Sequence, residues 1–329
     1  MERLNFKIAL LAIFAVACTR LSQSEVAPWK EDEGANPVKS GSLMLKAGTD
    51  AASENVSAWL CTPNENYFLS GKSDEVEFTC DGGVLADIYM ATNSAYSGSE
   101  NPRDISVNLT DIAPSAIPCF GKLSKYYLEP GPHSIKLEVR RCIAKISFGC
   151  IENLISEPPY AGEAIIIDSL YIINGKGRFK VFCEDTLNSV QNWFMPSGAA
   201  GDASGQMKAP SISTFNAGGR TVSYKDSLDL NITLYTGPNK IKDDAFSGSG
   251  VSGWTPRKTR LVLSCRIGGR KCYYPLTIDK VTENTHYVIK KLTITRFGVS
   301  HPDLPFSFDE LSVGYSIRKW ESVDIEEII

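Results

Sequence analysis

The chain has 329 residues, 43% of them hydrophobic and 22% charged, with a formal net charge of −4. That composition is globular and able to bury real cores. With no basic block, it lacks the electrostatic footprint of a nucleic-acid binder.

The first eighteen residues carry the strongest local signal. Arg3 and Lys7 lie in a short polar start, an apolar run extends from Ile8 to Val16, and Ala15-Val16-Ala17-Cys18 closes it. A basic start, an apolar core of about ten residues and a small residue before the cut describe a secretory signal peptide. The run is too short to span a bilayer, which takes roughly twenty apolar residues. The closing tetrapeptide resembles the lipobox of bacterial lipoproteins, which implies cleavage before Cys18 and acylation of its thiol. Each buried methylene adds about 0.8 kcal/mol of membrane affinity, so two or three acyl chains make a lasting anchor. Residues 1–17 are therefore expected as the signal and 18–40 as a lipidated tether, polar and acidic, with Pro28, Glu31-Asp32-Glu33 and Pro37. About 310 residues remain, room for two domains.

From Ser42 onward, short apolar runs are broken by Gly, Pro, Asn and Ser. Ser42 to Lys46 reads as the first strand. Between Ser134 and Phe148, Ile135, Leu137 and Val139 alternate with Lys136, Glu138 and Arg140, the period of a half-buried strand. Ile165–Ile167 and Leu170–Ile173 lead to Asn174-Gly175, a hairpin signal, and Phe179 to Phe182 returns. A domain boundary is expected near residue 184, which divides the chain into sandwiches over 41–184 and 185–329. Beyond it lies a loop rich in Gly, Ala and Ser, from Pro196 to Gly219. Leu228, Leu230, Ile232 and Leu234 alternate with polar residues, Tyr287 to Ile294 forms another run, and Val313, Tyr315 and Ile317 make a late strand. Helical periodicity is scarce, with one short turn expected around Phe306 to Leu311. Many short strands between turn signals indicate an all-β chain of two β-sandwiches.

Nine cysteines are present, and eight remain if Cys18 carries lipid. An even number in an oxidising compartment suggests disulfides. Gly268-Gly269 can turn a two-residue hairpin, which sets Cys265 opposite Cys272. That site is the wider kind of antiparallel pair. Opposed Cβ atoms lie about 4.5–5.5 Å apart, a little wide for a disulfide's roughly 3.8 Å, so a strained bridge and two packed thiols both fit.

No catalytic constellation is found. His133, His286 and His301 lie beside turns or strand ends, and neither HExxH nor CxxC occurs. Gly248 to Gly253 does not match a nucleophile elbow. Asp243 and Asp244 fit no calcium loop. His301-Pro302-Asp303 reads as a turn in which Asp303 bonds nearby backbone amides. Trp59, Trp193, Trp254 and Trp320 could form a sugar platform, although core packing is the commoner fate of tryptophan in β domains. No enzyme, metal or cofactor is expected.

Four segments resemble the fimbrillins, the lipoprotein pilus subunits of Bacteroidales-type bacteria. Ile117-Pro118-Cys119-Phe120-Gly121 is similar to that family's Ile-Pro-Met-x-Gly, and Leu137 to Ile146 to its strand with Arg-Ala-Val-Ala-Lys-Ile. Lys258 to Val262 and Tyr273-Tyr274-Pro275-Leu276 look like its threonine-leucine and Tyr-Tyr-Pro strands. Asn284 to Tyr287, Leu292 to Gly298, His301-Pro302-Asp303 and Trp320 follow in the family's order. The resemblance implies transthyretin-like sandwiches, a structural role in a fimbrium at the outer membrane, partnership with other pilus subunits, and support of adhesion to a host or bacterial surface receptor. It also implies strand exchange, in which a protease removes the first strand after an arginine. Here the chain departs: after Arg20 the next arginine is Arg103, and Lys46 is the only basic residue at a comparable position. Val323 and Ile325 alternate with polar residues beyond Trp320, as a last strand or a donor strand would. The competing reading is a monomeric surface lipoprotein that binds a glycan or a host ligand.

Overall fold

The computed structural model describes residues 40–48, 55–72, 74–183, 190–194, 207, 209–242, 256–304 and 312–320. The signal and tether with Cys18, the stretches containing Asp243, Asp244, Gly248 to Gly253 and Trp254, residues 196–206 of the Gly-rich loop, the turn at 306–311 and residues 321–329 lie outside them. The described residues are all-β, with short 3-10 turns and no α-helix.

The first strands are β1 (Ser40–Gly48), β2 (Val56–Cys61), β3 (Asn66–Gly71), β4 (Glu75–Asp81), β5 (Val84–Thr92), β6 (Ser106–Asn108), β7 (Cys119–Leu128), β8 (Pro132–Glu138) and β9 (Arg140–Arg141). They form a three-stranded sheet ordered β4-β1-β8 and a five-stranded sheet ordered β3-β2-β5-β7-β9. Leu43, Leu45, Phe78, Ile88, Met90 and Leu137 share the core of this first sandwich. The five-stranded sheet is covered on its other face as well, which explains why β2 is buried at five consecutive positions. Val56, Ala58 and Leu60 enter the first core, while Trp59 packs edge-on against Phe182 at 6.3 Å between ring centroids.

The chain then forms β10 (Ala144–Asn153), β11 (Ile165–Ile173), β12 (Gly175–Lys176), β13 (Arg178–Lys180), β14 (Trp193–Phe194), β15 (Thr214–Val222), β16 (Ser227–Thr236), β17 (Thr259–Ile267), β18 (Arg270–Ile278), β19 (Thr285–Ile294) and β20 (Ser312–Lys319). Sheets β16-β10-β19-β20 and β15-β11-β17-β18 make the second sandwich. Two short pairings, β12 with β14 and β13 with β6, complete the strands.

Three expectations differ from the observed strand pairing. The pairings do not divide near residue 184, because β10 and β11 pair with β16, β19, β15 and β17, all beyond it. The run from Ser134 to Phe148 is not one strand: β8 ends at Glu138 and β10 begins at Ala144. Val139 enters the first core and Ile143 the second, so the chain crosses between sandwiches within four residues. Asn174-Gly175 does turn the chain, with Asn174 at φ 52°, yet it closes no hairpin. The strands on either side pair elsewhere, because the Asn174 carbonyl accepts from Thr259 Oγ1 at 3.1 Å and its side chain donates to Asp303. The Gly268-Gly269 hairpin forms in the expected register, with φ of 55° and 77°.

Gly121, in the Ile-Pro-Cys-Phe-Gly segment, has no space for a side chain. A Cβ there would lie 2.3 Å from the backbone oxygen of Glu138. Gly121→Ala is expected to lower stability by about 1–3 kcal/mol, read from the urea midpoint, since a main chain must move to admit the methyl group.

Candidate strand-exchange site

β1 is the strand on which the expected function depends. It runs between two neighbours, antiparallel to β4 and parallel to β8. Ser42 to Lys46 is matched on both sides at once, for example Leu43 with Phe78 and His133, and Leu45 with Val76 and Ile135. At its ends, Ser42 N–H donates to the Gly131 carbonyl at 3.2 Å and Ala47 N–H to the Asp74 carbonyl at 2.8 Å. Its side chains obey period two: Leu43, Leu45 and Ala47 are buried, while Met44 and Lys46 face out. Without β1, both β4 and β8 would present unmatched amides and carbonyls beside an apolar trough. Such an edge takes up an extended segment whose alternate side chains fill the pockets.

Lys46 stands on the outer face of β1. Its Nζ lies 2.5 Å from Glu75 Oε1 and 3.7 Å from Asp74 Oδ2, with the side chain 48% exposed. The hydrogen bond to Glu75, then the charge of Asp74, holds the ammonium above the usual lysine range. The peptide bond after Lys46 is inside the paired stretch, since Ala47 is matched with Leu137 and bonded to Asp74. A protease reaches that bond only after the last residues of β1 leave both neighbours.

The other expected residues lie apart from this site. Cys265 and Cys272 are opposed on β17 and β18, both buried, with their sulfurs 3.6 Å apart as thiols. The hydrogen bond that it shares with Cys272, then burial, pushes the Cys265 thiol well above its ordinary range and makes it a weak nucleophile. The three histidines do not meet: His133 Nε2 contacts the Glu129 carbonyl at 2.9 Å, His286 Nε2 contacts Ser147 Oγ at 2.8 Å, and His301 packs near Arg257. Among the described residues no cluster of His, Cys, Asp and Glu is placed to hold a metal. Trp59, Trp193 and Trp320 are all buried and expose no aromatic platform. Cavities open on the surface among the described residues. One of about 580 Å³ lies over β2 and β5 near Asp87 and Arg103, and one of about 720 Å³ lies between β7, β13 and Glu283.

One feature was not legible in the sequence. Asp303 does not cap a turn with backbone amides. Its carboxylate is buried between Arg257 and Arg260, at 2.5 Å from Arg260 Nη1, and accepts from Asn174 Nδ2 at 2.9 Å. The cluster ties the segment between β19 and β20 to the start of β17. Arginines at 257 and 260 before an apolar strand were the available signal, but their partner lies more than forty residues away.

No family model matches the chain, and neither does any curated protein. The fold matches solved structures over most of its length. A fimbrilin from Porphyromonas gingivalis W83 is similar with a TM-score of 0.65 at 16% identity, covering 87% of this chain and 99% of that one. A candidate cell adhesion protein from Parabacteroides distasonis ATCC 8503 gives a TM-score of 0.58 at 15% identity, covering 86% and 99%. Another from Bacteroides eggerthii DSM 20697 gives 0.55 at 14% identity, covering 87% and 98%. At such identities the likeness establishes the fold, that of the fimbrilin.

Proposed function

We propose that this chain is a structural subunit of a bacterial surface pilus, supporting adhesion. It is exported as a lipoprotein acylated on Cys18, reaches the outer membrane on that anchor, and joins other pilus subunits by β-strand exchange at the position of β1. One observation carries the reading: the first strand of a fimbrilin-like fold lies in mid-sheet, matched on both sides, with only its alternate side chains in the core. A neighbour's extended segment can replace such a strand residue for residue. Lys46 is the processing residue in this proposal, and release of the lipidated segment 18–46 opens the groove.

Lys46→Gln tests the processing step. The lysine's ion pairs are exposed, so the substitution is expected to leave the urea unfolding midpoint nearly unchanged. It should nevertheless leave the chain uncut and outside the fibre fraction. Normal assembly of the Lys46→Gln protein would remove Lys46 from the proposal. Labelling cells with radioactive palmitate, with Cys18→Ser as control, tests the anchor separately. Label retained by the serine variant contradicts it.

A further inference from the structure

The cavity of about 720 Å³ is strongly basic. Its described lining holds six cations, Lys122, Arg140, Arg141, Lys176, Lys180 and Lys240, against two carboxylates, Glu138 and Glu283. Arg140 pairs with Glu138 at 3.0 Å, Lys240 with Glu283 at 3.3 Å, and Lys180 with Asp104 at 3.1 Å. Lys122 and Arg141 rest instead on carbonyl oxygens, of Phe182 at 2.8 Å and of Trp320 at 3.1 Å. A carbonyl satisfies a donor but brings no compensating charge, so the cleft keeps a positive potential.

Arg141 also decides what stands nearest. Its guanidinium lies 4.8 Å over the Trp320 ring while its Nη1 holds the Trp320 carbonyl. Trp320, the last described residue, is thus held against a residue that lines the cleft. The nine residues that follow are Glu-Ser-Val-Asp-Ile-Glu-Glu-Ile-Ile, four of them acidic. Nine extended residues reach about 30 Å, enough to cross the opening.

We propose that this cleft is a binding site for an acidic peptide segment, and that its occupant is residues 321–329 of the same chain. Tethering at the rim gives the segment a millimolar effective concentration, so a weak intrinsic affinity is sufficient to fill the site. The inference is independent of strand exchange at β1.

A fluorescein-labelled peptide of residues 321–329 is the probe. It is titrated onto the full chain and onto a variant with Glu321→Gln, Asp324→Asn, Glu326→Gln and Glu327→Gln. The variant should bind the peptide at least about tenfold more tightly, because its own segment no longer competes. Lys122→Glu or Lys240→Glu, each added to that variant, should abolish binding, as should about 0.5 M salt. Equal affinity for the two proteins, no binding by either, or binding that survives both charge reversals overturns the proposal. Heparin binding equally to the full chain and the variant also overturns it, since the site would then serve an external polyanion.

Discussion

Leu45→Asp is expected to cost the protein about 4 kcal/mol or more, a large share of the roughly 5–15 kcal/mol that stabilises an ordinary domain. Leu45 is fully buried at the centre of β1, with Val76 matched on one side and Ile135 on the other. The substitution removes a core side chain and places a carboxylate where no cation or amide is available to it. Met44→Asp, one residue earlier, is the internal control. Met44 is 38% exposed, and an aspartate there meets water, so a change within about 0.5 kcal/mol is expected. Urea unfolding of the two variants reads the difference directly. Equal losses would mean that β1 does not lie in this register, and the groove would lose its physical basis.

The second large effect concerns Asp303. Asp303→Asn keeps the side chain's shape but takes the counter-charge away from two arginines that are both nearly excluded from water. Removing one partner of a buried ion pair costs about 3–5 kcal/mol. Replacing the whole cluster, with Arg257→Met, Arg260→Leu and Asp303→Leu together, should recover most of that loss. Buried charges are expensive to desolvate, and packed apolar groups of similar volume often do as well. A triple variant as unstable as Asp303→Asn would show that the hydrogen bonds to Asn174 matter more than the charges. Thermal unfolding separates these outcomes.

The contrast between these two sites shows what a linear sequence can reveal. Alternation reports which face a residue takes, so Leu230, Ile232 and Leu234 in β16 were legible before any partner was known, whereas Leu43-Met44-Leu45 is an unbroken apolar run whose faces only the structure separates. The Gly268-Gly269 turn was legible because two consecutive positive φ angles leave few residue choices. Alternation does not report the partner strand. The parallel matches of β1 with β8 and of β10 with β19 join segments that are distant in the chain, and no local signal encodes them. The strand pairing across residue 184 was hidden for the same reason. Val139 and Ile143 belong to one apolar run, interrupted only at Arg140-Arg141, yet they enter different cores. Asn174-Gly175 misled because a left-handed asparagine marks a change of direction, not its destination. Of the candidate site, the first strand and the place of Lys46 were readable, whereas its neighbours were not.

The most direct measurement is the amino-terminal sequence of this chain recovered from intact surface fibres. If β1 is displaced so that a neighbour's strand takes its place, the fibre protein begins at Ala47 and residues 40–46 are absent. Fibre protein that still carries residues 40–46 and the acylated Cys18, with β1 matched to β4 and β8, would contradict strand exchange at this groove.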